Sequence, residues 1–331
     1  MSREIDYSMY YDIKRTLTHN CLFNFILGAR GSGKTYAFKK WAIEDFIKNG
    51  NQFVYVRRYK TELKSVKQYF NDIRNAFPNN KLEVKHREFY IDGECAGYII
   101  DLNNAKVNKS IPYTGVDKIC FDEFMLDKGS HRYINDEVTN LLELYSTIAR
   151  DRDVKIFFLA NSISITSPYF TFFKIHPRRE KEFTKQGDIL IQMVQSPLFS
   201  EHMKQTRFGK IINGTQYSAY AVDNEFLRDN NTWVEKSKGK TEQIAVIKWG
   251  KKTYGIHINQ QTMNIHFNYK YNPNTTRILA YSNEDHEENT ILFEKRYYET
   301  TLIKERYKYG AIRFDTIAIK NELITLLERL R

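Results

Sequence analysis

Residues 21–35 read CLFNFILGARGSGKT. A mostly apolar run leads into Gly28, and Gly28-Ala29-Arg30-Gly31-Ser32-Gly33-Lys34-Thr35 then matches G-x-x-x-x-G-K-[ST] in full. A short apolar run closed by a glycine predicts a buried strand. Residues 34–49, KTYAFKKWAIEDFIKN, put Tyr36, Trp41, Ile43, Phe46 and Ile47 near helical spacing, with Gly50 as C-cap. Between strand and helix, such a loop curls its backbone N–H groups around a phosphate, and the helix dipole favours the anion. Lys34 is then expected to reach the β- and γ-phosphates of ATP, and the Thr35 hydroxyl to bind Mg²⁺.

Outward from this loop, residues 52–57 (QFVYVR) read as a second strand and 61–77 as a helix stopped by Pro78. Residues 82–84 and 88–100 read as hairpin strands around Asp92-Gly93, a strong turn pair. Residues 116–121 and 154–160 are further buried strands. The helix 137–149 between them carries Val138, Leu141, Leu142, Tyr145 and Ile148 on one face. Strands alternating with helices predict an α/β fold built on a parallel sheet. After Asn161 the pattern changes, and 168–225 resist assignment. Residues 243–248, 252–258 and 262–268 read as an antiparallel meander, and 290–308 and 316–330 as helices. The expected division is an ATPase domain over 1–200, a linker over 201–225 and a smaller α+β domain over 226–331.

The second chemical signal is VDKICFDE, residues 116–123. An apolar strand delivers Asp122 to the carboxyl edge of the sheet, where it would hold Mg²⁺ through water. Glu123 beside it would polarise the attacking water, as in P-loop ATPases of the additional-strand, catalytic-glutamate type. Asn161, directly after the strand VKIFFLA, fits a γ-phosphate sensor and fits ordinary turn chemistry equally. Arg30 lies inside the phosphate loop. Arg57, Arg58 and Lys60 follow the second strand, and Arg150 and Arg152 follow the helix 137–149, where helix C-terminal charge complementation is the plainer reading. No NKxD motif and no LSGGQ-type signature occurs, which argues against a GTPase and an ABC transporter.

Fifty-one Lys and Arg against forty Asp and Glu leave a net charge of +11, as a polyanionic partner requires and as a generally basic proteome also produces. Cys21, Cys95 and Cys120 form no CxxC pair, so neither a zinc site nor a disulfide framework is expected, and a reducing compartment fits. The first residues are too charged for a signal peptide, and no apolar run approaches a membrane span.

GARGSGKTYAFK (28–39), QFVYVRRYKTEL (52–63), YFND (69–72), FYIDG (89–93), ICFDEF (119–124), SPYFTFF (167–173), TRFGKIINGT (206–215) and GAIRFD (310–315) resemble the DNA-packaging (encapsidation) ATPases of small tailed podoviruses that replicate by protein priming. The resemblance spans nearly the whole chain. It implies a pentameric ATPase ring at the capsid portal that pushes double-stranded DNA into a prohead, in the host cytoplasm, with a scaffold RNA as a possible further component. It implies a C-terminal domain of RNase H-like nuclease fold that has lost its catalytic carboxylates. It also implies that Arg150 is a finger supplied to a neighbour's site and Lys60 a second trans-acting cation.

An active nuclease of that fold holds two metals with clustered acids, usually including an aspartate on the first strand. QIAVIK, the first strand candidate, has none, and Glu284, Asp285, Glu287 and Glu288 lie in a polar loop that reads as solvated surface. Residues 226–331 hold eighteen Lys/Arg against thirteen Asp/Glu, a mildly basic balance. A motor must grip DNA without reading sequence, so phosphate contacts should dominate. Lys128, His131 and Arg132 are candidates to line the channel, in a loop that reads equally as solvated. Two alternatives remain from sequence. One is a terminase- or helicase-like motor with an active nuclease half; the other is a nucleic-acid-binding scaffold that uses ATP only as a switch.

Overall fold

The computed structural model describes residues 7–108, 112–126, 133–134, 136–162, 164, 167–175, 177–178, 181–215, 218, 222, 233–249, 252–281, 283, 285–293 and 297–328. The chain divides into two compact units, Met1–Leu227 and Arg228–Arg331. Among the described residues no helix is long and apolar enough to cross a membrane.

In the first unit a nine-stranded sheet runs in the order β3-β4-β5-β2-β6-β7-β1-β9-β8. Its strands are β1 (Phe23–Gly28), β2 (Gln52–Arg57), β3 (Leu82–Lys85), β4 (Glu88–Ile91), β5 (Glu94–Asp101), β6 (Val116–Asp122), β7 (Lys155–Asn161), β8 (Phe183–Gln186) and β9 (Ile189–Met193). The six strands from β5 to β9 are parallel, and the hairpins at both edges are antiparallel. A parallel sheet is covered on both faces, so its central strands are largely apolar rather than alternating. One face packs Phe25, Val54, Val56, Phe121 and Phe158 against α3 (Glu137–Ala149) and α4 (Pro168–Phe173). The other packs Phe53, Tyr55, Cys120 and Phe157 against α2 (Lys34–Asn49). At the centre, Phe25 and Phe158 are register partners whose rings stack with centroids 4.1 Å apart. The short helix α1 (Ile13–Leu17) precedes β1.

The expected parallel sheet is present, with α2 over the expected span and Gly50 closing it at φ 74. Asp92 and Gly93, both at positive φ, turn β4 into β5. Residues 61–77 differ from expectation: they form 3₁₀ segments, Lys60–Gln68 and Arg74–Ala76. Leu63, Val66 and Tyr69 recur every third residue, the repeat of a 3₁₀ turn, and Val66 and Tyr69 are buried. Residue Leu144 rather than Leu142 and Tyr145 is fully buried on α3. The stretch from 168 contains α4, β8, β9, α5 (Pro197–Gln205) and α6 (Arg207–Ile212), so the range read as linker begins in helical structure.

The second unit holds a six-stranded sheet in the order β14-β13-β10-β11-β12-β15. Strands β10 (Thr241–Trp249), β11 (Lys252–Asn259) and β12 (Ile265–Asn268) are the expected antiparallel meander. Strands β13 (Ile278–Ala280) and β15 (Ile312–Phe314) run parallel to β10 and β12, and β14 (Ile291–Leu292) parallel to β13. The stretch 290–308 is therefore not one helix: it opens with β14, and only α7 (Tyr298–Lys308) is helical. The last element, α8 (Ile317–Glu328), packs Ile319, Leu323 and Leu327 into the core of this unit.

Candidate functional site

Gly28 ends β1 and faces Asn161 at the end of β7, so two neighbouring parallel strands deliver their last residues to one edge of the sheet. The loop Gly28–Gly33 turns there into α2. Gly33 is the N-cap at φ 85 and offers no side chain to cap the helix. First-turn N–H groups of α2 therefore face the cleft, as an anion requires. A Cβ on Gly28 would lie 2.9 Å from Val194 Cβ, and one on Gly33 would lie 3.2 Å from Tyr10 Cβ. Only glycine satisfies both positions without a shift of neighbours.

Lys34 is buried, and its ammonium donates to Gly28 O (3.1 Å), Ala29 O (2.9 Å), Ser32 Oγ (3.2 Å) and, more weakly, Asn161 Oδ1 (3.4 Å). Burial lowers its pKa to about 8, against the opposing pull of Asp122. Thr35 Oγ1 donates to the Asp122 carboxylate at 3.1 Å, and Tyr55 donates to its Oδ2 at 2.8 Å. Burial and the nearby Asp122 push the Tyr55 hydroxyl well above its ordinary pKa, so it remains a donor. The cleft around these groups is lined by Gly31–Tyr36, Asp122, Glu123, Ala160 and Asn161.

Glu123 follows β6 in a left-handed conformation, φ 57, with its side chain 61% exposed. Its carboxylate accepts from Arg57 Nη2 at 2.6 Å. Arg57 is shared: it also bonds Glu62 at 3.3 Å and lies 3.8 Å from Asp122. Burial disfavours the Arg57 charge, yet Tyr55, Glu123, Asp122 and Glu62 together raise its pKa above the ordinary arginine value. The oxygen donors of Thr35 and Asp122 suit a hard cation such as Mg²⁺, and the buried ammonium and uncapped helix suit the phosphates it would accompany.

The structure thus brings together the loop Gly28, Ala29, Arg30, Gly31, Ser32, Gly33, with Lys34, Thr35, Asp122, Glu123 and Asn161. It leaves two predicted residues apart. Lys60 is exposed and opens the 3₁₀ segment after β2, at the same sheet edge. Arg150 is exposed at the opposite edge. The helix α3 returns from the carboxyl edge, and the Arg152 guanidinium just beyond it donates to Tyr113 O, Thr114 O and Val116 O at the start of β6. Thirteen residues of helix span roughly 20 Å. Arg150 is therefore remote from the nucleotide loop of its own chain. Lys128, His131, Arg132 and Glu284 lie outside the described residues. Glu287 pairs with Lys248 at 2.8 Å, Glu288 is exposed, and no group of three potential metal ligands occurs among the described residues.

Sequence reading missed Tyr55 as the partner of Asp122 and the distinct duties of Arg57 and Arg58. The signal for the arginines was the alternation Phe53, Tyr55, Arg57 against Val54, Val56, Arg58, which puts adjacent arginines on opposite faces.

Residues 5–331 match the family described as Podovirus DNA encapsidation protein (Gp16). The DNA packaging protein of Bacillus phage phi29 is 37% identical over 330 residues, 99% of each chain. That of Bacillus phage B103 is 36% identical over 318 residues, 95% of this chain and 99% of the relative. The bacteriophage Phi-29 viral genome packaging motor assembly contains a chain with TM-score 0.74 and 36% identity, covering 98% of this chain and all of that one. The N-terminal domain of the phi29 DNA packaging ATPase superposes with TM-score 0.55 and 44% identity over 57% of this chain and 97% of that domain. The chain belongs to the podovirus DNA encapsidation protein (Gp16) family, and its function is the packaging of phage DNA.

Proposed function

We propose that the first unit hydrolyses Mg-ATP and that this drives double-stranded DNA through a portal into a prohead. The observation that carries the reading is the convergence of Lys34, Thr35, Asp122, Glu123 and Asn161 on one cleft at the carboxyl edge of a parallel sheet. The loop N–H groups and Lys34 would bind the β- and γ-phosphates. Thr35 and Asp122 would hold Mg²⁺, which when bound neutralises phosphate charge. Glu123 would orient the attacking water and take its proton as the new O–P bond forms and the β,γ-bridging bond breaks. Asn161, within reach of the Lys34 ammonium, would sense the γ-phosphate. Arg57 holds the Glu123 carboxylate, so Glu123 must leave that ion pair to meet a water.

Arg150 would serve a neighbouring subunit's nucleotide, with Lys60 as a second trans-acting cation. The remoteness of Arg150 from its own loop supports this, and it implies a ring, for which we propose five subunits. A portal and a scaffold RNA would be the other components of the assembly, in the host cytoplasm and only transiently on the prohead. The second unit is proposed to have an RNase H-like fold without nuclease activity. The strand order β12-β11-β10-β13-β14, with a three-strand meander and two strands parallel to its first, supports the fold. We propose that residues 226–331 form this domain, joined to the ATPase domain through 201–225.

The test is protection of DNA from nuclease in the presence of proheads, ATP and the full chain. Lys34→Ala should lose ATP binding and protection together. Glu123→Gln should keep binding and lose hydrolysis by roughly 10²–10⁴-fold. Equal loss of binding in both variants would refute this division of labour.

A further inference from the structure

Arg58 is 1% exposed and lies outside the nucleotide cleft, on the α3 face of the sheet. Four of the five N–H donors of its guanidinium are engaged. Nε donates to Glu137 Oε2 at 2.7 Å and Nη2 to Glu137 Oε1 at 2.9 Å. Nη2 also donates to Phe124 O at 2.6 Å, and Nη1 to Glu123 O at 3.1 Å. Glu137, the first residue of α3, is filled in turn by Ile134 N (3.0 Å) and the Tyr169 hydroxyl (2.7 Å). Phe121 and Tyr133 present ring faces to the guanidinium at 5.4 and 5.0 Å.

Such a pair is a poor device for stability. Desolvating two charges offsets much of their attraction, and apolar side chains of equal volume commonly do as well. What it supplies is geometry. A planar fork can grip a carboxylate and two successive carbonyls at once, which an ammonium cannot. The two carbonyls are those of Glu123 and Phe124, and Glu123 is a non-glycine residue at φ 57. A left-handed non-glycine residue persists only where its surroundings over-determine it. Around Glu123 those constraints are the Phe124 N–H to Leu159 O bond, 3.2 Å, and the two bonds from Arg58.

We propose that Arg58, locked by Glu137, is the positioning residue that holds the left-handed turn aiming Glu123 at its water. The proposal rests on the reading of Glu123 given above. Arg57 holds the side chain of Glu123 and Arg58 holds its backbone, from opposite faces of the sheet.

The experiment measures prohead-supported ATP hydrolysis by the full chain carrying Arg58→Lys, with folding checked by circular dichroism and thermal midpoint. Arg58→Lys keeps a charge beside Glu137 but loses the two-carbonyl grip. The expected result is a kcat lowered about 10–100-fold, with KM and nucleotide affinity within about threefold. In a Glu123→Gln background the same change should add nothing, because Arg58 acts through Glu123. A normal kcat, a parallel loss of ATP affinity, or a full additive loss in the Glu123→Gln background would each overturn the proposal. If Arg58→Lys does not fold, Glu137→Gln replaces it: it keeps the volume and the Tyr169 bond, and a folded variant with unchanged kcat overturns the proposal equally. Normal hydrolysis by Glu123→Gln alone would instead overturn the reading on which the proposal rests.

Discussion

Lys34 carries a charge that the fold holds at a cost, and the cost is measurable. Burial lowers its pKa from 10.5 to about 8, so the nucleotide-free protein destabilises the ammonium relative to the unfolded chain. Below about pH 8 both states bind the proton and the penalty is complete. Between about pH 8 and pH 10.5 Lys34 holds its proton more in the unfolded chain than in the folded one, so the contribution of this group to stability rises with pH. Integrating over this shift, the wild type should gain about 2 kcal/mol between pH 7 and pH 9.5 relative to a chain with no titrating group there. Lys34→Met is that reference, similar in length and uncharged. The assay is urea unfolding of the full chain in EDTA without nucleotide, followed by the fluorescence of Trp41. This residue packs on Phe157 in the same unit, with centroids 5.2 Å apart. Trp233 and Trp249 would be changed to Phe in both proteins so that the second unit stays silent. Parallel shifts of wild type and Lys34→Met over this interval would refute the reasoning. Saturating nucleotide should flatten the wild-type slope, because phosphate restores a partner for the ammonium.

Three further outcomes are expected. Arg150→Ala should bind ATP normally and hydrolyse it slowly, and mixing it with Glu123→Gln should recover activity above that of either alone at matched total protein; no recovery where rings form would mean that Arg150 does not act across subunits. The full chain incubated with Mn²⁺ and plasmid DNA should leave the DNA intact, and cleavage that disappears on mutating Glu284, Asp285, Glu287 and Glu288 would contradict the reading of that loop. Phe158→Ala should destabilise the first unit by about 3–5 kcal/mol in a urea titration, since a fully buried ring stacked on Phe25 leaves a cavity.

The parts legible in sequence are those whose signal is local. Gly28 to Thr35 are contiguous, and the strands before Gly28, Asp122 and Asn161 are largely apolar, so loop, parallel sheet and sheet edge could all be read directly. Asp122 and Glu123 were visible as a pair; the partners that orient them were not. Tyr55 sits on a strand buried on both faces, where the contrast between polar and apolar that identifies an inward face is missing. Glu137, an acid at a helix start, reads as dipole complementation until the structure shows Arg58 against it. Residues 61–77 show the same limit: apolar residues three apart satisfy a helix and a 3₁₀ turn alike, and only the packing of Val66 and Tyr69 against the sheet decides between them. Strands β13 and β14, of three and two residues, are too short to carry any period.

The return of α3 across the sheet carries a kinetic consequence. Its beginning is tied through Glu137 to the turn at Glu123, while its end presents Arg150 at the far edge. If Arg150 serves a neighbour's nucleotide as proposed, an isolated subunit owns both halves of a catalytic apparatus but cannot bring them together. Free subunits would bind ATP and leave it intact, and turnover per subunit would climb with concentration until rings close. A cell filled with unassembled copies would lose no ATP to them, and consumption would begin only where a neighbour is present to complete each site.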